Sequence, residues 1–319
     1  MIETNKIYNE PCLETLSKMD DNSIDCVITS PPYWQLRDYG YDGQWGLEPT
    51  FNEYLEHLWS MMDEVYRVLK PNGTVWVNLG DSYSTQSGTN AAIARGTNKK
   101  QDSTYLTNRG ESGSLIKDKS LPNKCLLLIP HRFAIGCIDR GWIVRNDIIW
   151  AKRNGMPESV TDRFSKKHEY MFFMVKSEKY HFDLDAIRDK SLTNNNCKDV
   201  GRGTQGYSEA SGNMRNNNGG LGYYEKGKNP GSVSDFWDIP TKPSGSKHYA
   251  VYNDTLIAKP ILAGCPEGGV IYDPFMGSGS TAEAALRANR KFIGSEMSTE
   301  YLDIANKRLE PFLKQYNLF

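Results

Sequence analysis

The chain has 319 residues, 38% hydrophobic and 24% charged, with a net charge of −1. This length can bury a large core, and no apolar run reaches membrane-spanning length. The composition is ordinary for a soluble protein, which is the expectation here. Met1-Ile2-Glu3-Thr4 does not open a signal peptide, and the six cysteines are scattered without a Cys-x-x-Cys pair. A cytoplasmic protein with reduced thiols and no bound metal is expected.

Lys6-Ile7-Tyr8 reads as a short strand, and Cys12 to Met19 has helical spacing. Ser23 to Thr29 is a β-branched strand that runs into Ser30-Pro31-Pro32-Tyr33-Trp34. Two prolines remove two backbone donors and fix the chain while leaving their carbonyls as acceptors. Ser30 adds a hydroxyl, and Tyr33 and Trp34 add flat apolar faces. Such a strand end suits a planar base with an exocyclic amine, whose lone pair is conjugated into the ring. Acceptors on its N–H groups draw the nitrogen toward tetrahedral geometry, and an aromatic face holds a base turned out of its stack.

Phe51 to Leu69 is an amphipathic helix, Lys70 to Gly73 a turn, and Thr74 to Leu79 a strand ending at Gly80-Asp81. Ser84 to Ser120 is polar and aperiodic and reads as a mobile loop. A helix is expected between Leu126 and Ile138, a strand over Trp142–Trp150, and a hairpin from Glu169–Val175 to Lys179–Phe182. Ser191 to Ser234 carries Asn runs with Arg202, Arg215, Lys226 and Lys228. Between Ser84 and Ser234 lie 24 Lys and Arg against 15 Asp and Glu, a basic middle on an otherwise acidic chain. That distribution suggests a face for a polyanion.

Asp254 to Cys265 reads as a helix. Strand Gly269–Tyr272 then leads into Asp273-Pro274-Phe275-Met276-Gly277-Ser278-Gly279-Ser280, followed by a helix from Thr281, strand Lys291–Ser295 and Glu296. Strand, Gly-rich turn, helix, strand, acid is half of a nucleotide-binding α/β unit. Gly277 to Ala282 also fits a dinucleotide turn. A carboxylate at the strand tip would repel a pyrophosphate, however, and attract a cationic ligand. S-adenosylmethionine has a ribose, a sulfonium and no phosphate, and suits the turn better.

Together, Ser-Pro-Pro-Tyr and Asp-Pro-Phe-Met-Gly-Ser-Gly-Ser resemble the motifs of the amino-methylating DNA methyltransferases. These make N4-methylcytosine or N6-methyladenine. The catalytic motif comes first and the cofactor motif last, as in the β group. The resemblance implies an α/β fold: a doubly wound, mostly parallel Rossmann-like sheet with an antiparallel hairpin and an irregular target-recognition region. It assigns residues 1–185 to a catalytic half with a mobile loop at 84–120, 186–235 to target recognition, and 236–319 to the S-adenosylmethionine half. It assigns Ser30, Pro31, Pro32 and Tyr33 to the amine site. Asp273, Pro274, Phe275, Gly277, Ser278, Gly279 and Glu296 go to the cofactor. Double-stranded DNA is the implied substrate, and a restriction endonuclease a possible partner. Ser30 at the first motif position leans toward cytosine, with adenine the alternative. A nucleic-acid-binding protein with an inactive pocket is the alternative from another class. Relatives often carry Gly-Asp where Asn9-Glu10 stands here, so either Glu10 replaces an adenine contact or that contact is absent.

Overall fold

The computed structural model describes residues 2–84, 121–155, 158–188, 233–241 and 254–316. Its elements are β1 (Lys6–Tyr8), α1 (Cys12–Ser17), β2 (Ile24–Thr29), α2 (Phe51–Val68), β3 (Leu69–Leu79), α3 (Ile129–Asp139) and β4 (Ile143–Ala151). Then follow β5 (His168–Val175), β6 (Phe236–Asp238), α4 (Asp254–Gly264), β7 (Val270–Asp273), α5 (Ser280–Arg287), β8 (Lys291–Ser295) and α6 (Thr299–Tyr316). The strands form one sheet in the order β1-β8-β7-β2-β3-β5-β4-β6. Every pairing is parallel except the two made by β5.

Both faces of the sheet are covered. Leu16 of α1, Leu55 and Met62 of α2 and Phe133 of α3 pack with Val27 and Val77 on one side. Leu256 and Ile261 of α4, Ala285 of α5 and Leu309 of α6 pack with Ile28 and Ile271 on the other. This is the doubly wound sheet the motif order implies. Because β2, β3 and β7 are buried on both faces, they are apolar without alternation.

Two local expectations are corrected. The antiparallel hairpin is β4–β5, and Lys179–Phe182 leaves the sheet, with the His181 N–H donating to the Asn72 carbonyl at 2.8 Å. Both edges of β5 are already paired, to β3 and β4, so no edge remains for a third strand. Residues 70–73 are an irregularity inside β3, where the register slips between Ile24↔Leu69 and Cys26↔Thr74. The segment after Glu296 is the long helix α6, and β1 pairs with β8, so the first strand completes the half of the sheet that the last strands begin.

The chain divides into two compact units, Met1–Phe182 with Asp235–Phe319, and Asp183–Ser234. In the second, the described residues make one 3-10 turn at Asp185–Ile187, with Arg188 Nε donating to Asp185 Oδ1 at 2.5 Å. Residues 85–120 of the expected mobile loop, most of the expected recognition region at 186–235 and the segment 248–253 lie outside the described residues.

Helices α2 and α3 meet closely at Gly136. A Cβ there would lie 2.3 Å from the Trp59 indole, whose Nε1–H donates to the Phe133 carbonyl at 3.1 Å. Gly136→Ala gains about 1 kcal/mol of helix propensity but forces the indole aside, so a net loss of about 1–2 kcal/mol is expected. Urea unfolding measures it, and an unchanged or higher midpoint would contradict this packing.

Candidate active site

β7 and β2 are parallel neighbours in register at Cys26↔Ile271 and Val27↔Tyr272, so the two Pro-containing motifs leave the sheet side by side. Asp273, at the tip of β7, joins them. It is 1% exposed. Its Oδ1 accepts from Thr29 Oγ1 at 2.8 Å and from the Phe275 N–H at 3.0 Å, and its Oδ2 accepts from Thr281 Oγ1 at 2.6 Å. Burial pushes the carboxyl up to about 6, against the three hydrogen bonds that favour its charged form. The expectation of a carboxylate open to the pocket is therefore corrected: Asp273 is consumed in bracing the turn and the end of β2.

The turn after Asp273 is fixed by its glycines. Gly279 has φ 81° and caps α5, and a Cβ there would lie 2.9 Å from Ala305 Cβ on α6. Gly277 has φ 55°, and a Cβ there would meet nothing closer than the Phe275 carbonyl at 4.0 Å. The turn thus packs against protein through Gly279 and faces open space through Gly277. Arg308 of α6 donates to Ser280 Oγ at 2.7 Å and to Ser278 Oγ at 3.4 Å. Pro274 is buried and Phe275 half-buried.

Glu296 follows β8. Its Oε2 accepts from the Gly277 N–H and its Oε1 from the Ser298 N–H, each at 2.7 Å. Each oxygen keeps a lone pair for a further donor. Burial raises this carboxyl above its ordinary value. Asn9 Nδ2 donates to the Glu296 carbonyl at 2.7 Å and to the Met297 carbonyl at 3.1 Å, so β1 helps hold the loop. Glu10 accepts from Thr15 Oγ1 at 2.9 Å and pairs with Lys18 at 2.5 Å, which engages it at α1. Cys12 is buried and its thiol pushed up to about 12 by burial, which makes it a packing residue.

At the end of β2 the two proline carbonyls differ. Tyr54 of α2 donates its hydroxyl to the Pro32 carbonyl at 2.8 Å. Among the described residues none donates to the Pro31 carbonyl. The Ser30 hydroxyl lies 3.4 Å from Asn78 Oδ1. The Tyr33 hydroxyl donates to Glu169 Oε2 at 2.8 Å and lies 3.0 Å from Asn78 Oδ1. Asn78 Nδ2 donates to the Tyr170 carbonyl at 3.0 Å, which sets the orientation of the amide. Trp34 differs from expectation: it is buried, edge-on to Phe51, with its indole N–H on the Glu48 carbonyl at 3.0 Å. It packs the core, and Tyr33 alone of the two offers a face.

At this rim Asn78 and Glu169 carried no motif. Asn78, Glu169 and Lys152 come from three different stretches of chain and meet only once β5 inserts between β3 and β4. The loop 35–50 crosses to the cofactor half: Tyr41 is hydrogen-bonded to Ser298 at 2.6 Å, Tyr39 lies edge-on to Tyr301, and Trp45 packs on Phe275 with centroids 5.4 Å apart. The aromatic residues of that loop are the signal that was available for it.

A family profile for DNA methylases matches residues 24–307. The chain belongs to the N6/N4 DNA methylase family. Its relatives include the Type II methyltransferase M.Cfr9I of Citrobacter freundii, 35% identical over 95% of this chain and 87% of that one. The Type II methyltransferase M.SmaI of Serratia marcescens is 33% identical over 95% and 90%. Among solved structures the fold resembles the cytosine-N4-specific PvuII DNA methyltransferase, with TM-score 0.63 at 18% identity over 99% of this chain and 93% of that one. It also resembles a putative DNA modification methylase of Thermus thermophilus solved with S-adenosyl-L-methionine, with TM-score 0.56 at 19% identity over 96% and 93%.

This methylase is a DNA methyltransferase, and S-adenosylmethionine is the methyl donor that its Gly-rich turn and Glu296 imply. The residues present fit that methyl donor. The open side of Gly277 gives it room, the two lone pairs of Glu296 can take ribose hydroxyls, and Phe275 offers a half-buried apolar face. Among the described residues no group of His, Cys, Asp and Glu could hold a metal, and no helix is long and apolar enough to cross a membrane.

The Asp273 brace has a pH signature. Its carboxyl moves from 3.8 to about 6 on folding, so between these values the native protein keeps a proton that the unfolded chain has released. Stability from this group is present below pH 4 and is lost as pH rises through 6, by about 3 kcal/mol in all. Asp273→Asn removes that dependence. Measured by chemical unfolding from pH 4 to 7, the stability of the natural protein should fall relative to the variant. A constant difference would contradict the burial of the charge.

Proposed function

We propose that this methylase transfers a methyl group to the N4 amine of a cytosine turned out of double-stranded DNA. The observation that carries the reading is the side-by-side exit of the two motifs from β2 and β7, tied by Thr29 and Asp273. An amine site and a methyl-donor site then share one sheet edge. In this reading the Pro31 carbonyl accepts one N–H of the amine, the Ser30 oxygen lies beside the second, and the Tyr33 ring stacks on the base. When bound, S-adenosylmethionine supplies an electrophilic methyl on a cationic sulfur. That methyl would pass to the amine lone pair in a single displacement, the sulfur keeping the electron pair of the broken bond and leaving as a neutral thioether, and the nitrogen would then release one proton to solvent. No covalent bond between protein and base is needed, in keeping with the buried Cys12.

Ser30 supports cytosine, since relatives with Asp or Asn at this position are mostly adenine enzymes, and the fold resembles a cytosine-N4-specific enzyme. Glu296 and the Gly277 turn hold the cofactor ribose. The stretch 186–235, rich in Asn and carrying Arg202, Arg215, Lys226 and Lys228, is the region that reads the DNA sequence. Because the relatives named above are Type II methyltransferases, a restriction endonuclease of the same site specificity is the companion expected.

Nucleoside analysis of DNA methylated by the purified protein should yield N4-methylcytosine. N6-methyladenine would overturn the base and keep the mechanism. Tyr33→Ala should cost about 1–3 kcal/mol in transfer with little change in cofactor affinity. Glu296→Ala should weaken S-adenosylmethionine binding by roughly 1–3 kcal/mol, read by calorimetry. The reverse pattern would mean the two halves of the site are wrongly assigned.

A further inference from the structure

The stacking role proposed for Tyr33 uses its ring and leaves its hydroxyl unexplained. That hydroxyl has a built environment. It donates at 2.8 Å to Glu169 Oε2, at the start of β5, and lies 3.0 Å from Asn78 Oδ1. The other Glu169 oxygen pairs with Lys152, just beyond β4, whose ammonium sits 4.2 Å from the centre of the Trp150 ring. The Glu169 and Lys152 side chains are 15% and 20% exposed. A carboxylate this buried costs free energy unless it is paired, and the lysine supplies the charge. Beneath the ring lies Gly80, where a Cβ would come within 2.6 Å of Tyr33 Cε2. The ring is thus bounded below by backbone and fixed at its tip by a charged acceptor, which makes a shorter and stronger hydrogen bond than a neutral one.

We propose that Glu169, held by Lys152, is a positioning residue that aims the Tyr33 ring at the target base. This rests on the stacking role of Tyr33. β5 is antiparallel to its neighbours, so its first residues lie at the edge where β2 and β3 end. The Glu169–Lys152 pair thereby makes the β4–β5 hairpin part of the base site. The competing account is that the pair only joins the two hairpin strands.

A double-mutant cycle separates the two. Methyl transfer is measured in single turnover, with S-adenosylmethionine affinity by calorimetry and folding by thermal melting, for Tyr33→Phe, Glu169→Ala, Glu169→Gln and Tyr33→Phe/Glu169→Ala. Tyr33→Phe and Glu169→Ala should each lower the transfer rate by about tenfold, the loss of one charge-assisted hydrogen bond. The double variant should be no slower than the slower single variant, and cofactor affinity should hold throughout. Glu169→Gln, which keeps an acceptor for the phenol and loses the charge, should recover most of the rate and show that the chain folds. Multiplying effects in the double variant would overturn the proposal, as would a silent Tyr33→Phe beside a slow Glu169→Ala. The stacking role itself stands or falls separately with Tyr33→Ala: full transfer there would remove both, whereas a collapse there with multiplying effects in the cycle would remove Glu169 alone.

Discussion

The site depends on a carboxylate that does not touch substrate in the proposed reaction. Asp273 takes three hydrogen bonds within the protein, from Thr29, Phe275 and Thr281, and so fastens the strand that ends in Ser30-Pro31-Pro32-Tyr33 to the Gly-rich turn proposed to receive the methyl donor. A one-step displacement requires nucleophile, methyl and leaving group to lie near a line, and small misplacements are costly. Two loops held independently would drift. Here one buried group, at the tip of β7 beside β2, sets the position of both. Its raised proton affinity is the energetic counterpart of that bracing, because burial penalises the charge and three donors only partly compensate it.

Around this centre the two halves are stiffened in different ways. On the cofactor side the support is backbone: Gly277 and Ser298 N–H groups on Glu296, Asn9 on the following carbonyls, and Gly279 pressed against Ala305. On the base side it is a side-chain network running from Ser30 and Tyr33 through Asn78 and Glu169 to Lys152. The first arrangement suits a ligand of one constant shape. In the proposed reaction the second suits a base that enters and leaves, because side chains can yield without breaking the sheet.

Much of this was legible in the sequence because both motifs are contiguous. Five residues at the end of β2 and eight at the end of β7 contain the prolines and glycines that fix backbone shape, and their chemistry follows from local spacing. The β-branched runs of β2 and β7 and the apolar stripe of α2 were equally local. What escaped was set by pairing across the sheet. Nothing near Glu169 says that β5 will insert antiparallel between β3 and β4, so neither its meeting with Tyr33 nor the true partner of the hairpin could be read. Trp34 looked like a second aromatic face, but its side chain turns into the core toward Phe51. Asp273 was placed at the right strand tip, yet its orientation depends on Thr29, far away in sequence.

The pairing of β1 with β8 has a consequence for the order in which the molecule is built. Lys6 meets Ile293, and Asn9 meets the loop after β8 across 287 positions of chain. At the usual pace of synthesis, about 5–20 residues per second, the first strand waits on the order of 15–60 s for its neighbour. During that interval β2 and β3 can pair and the amine motif can take shape, while the turn that receives the methyl donor does not yet exist. A nascent chain can therefore assemble a surface for a base before it has anything to give that base. Competence arrives late and all at once, when β8 has been made and has joined β1.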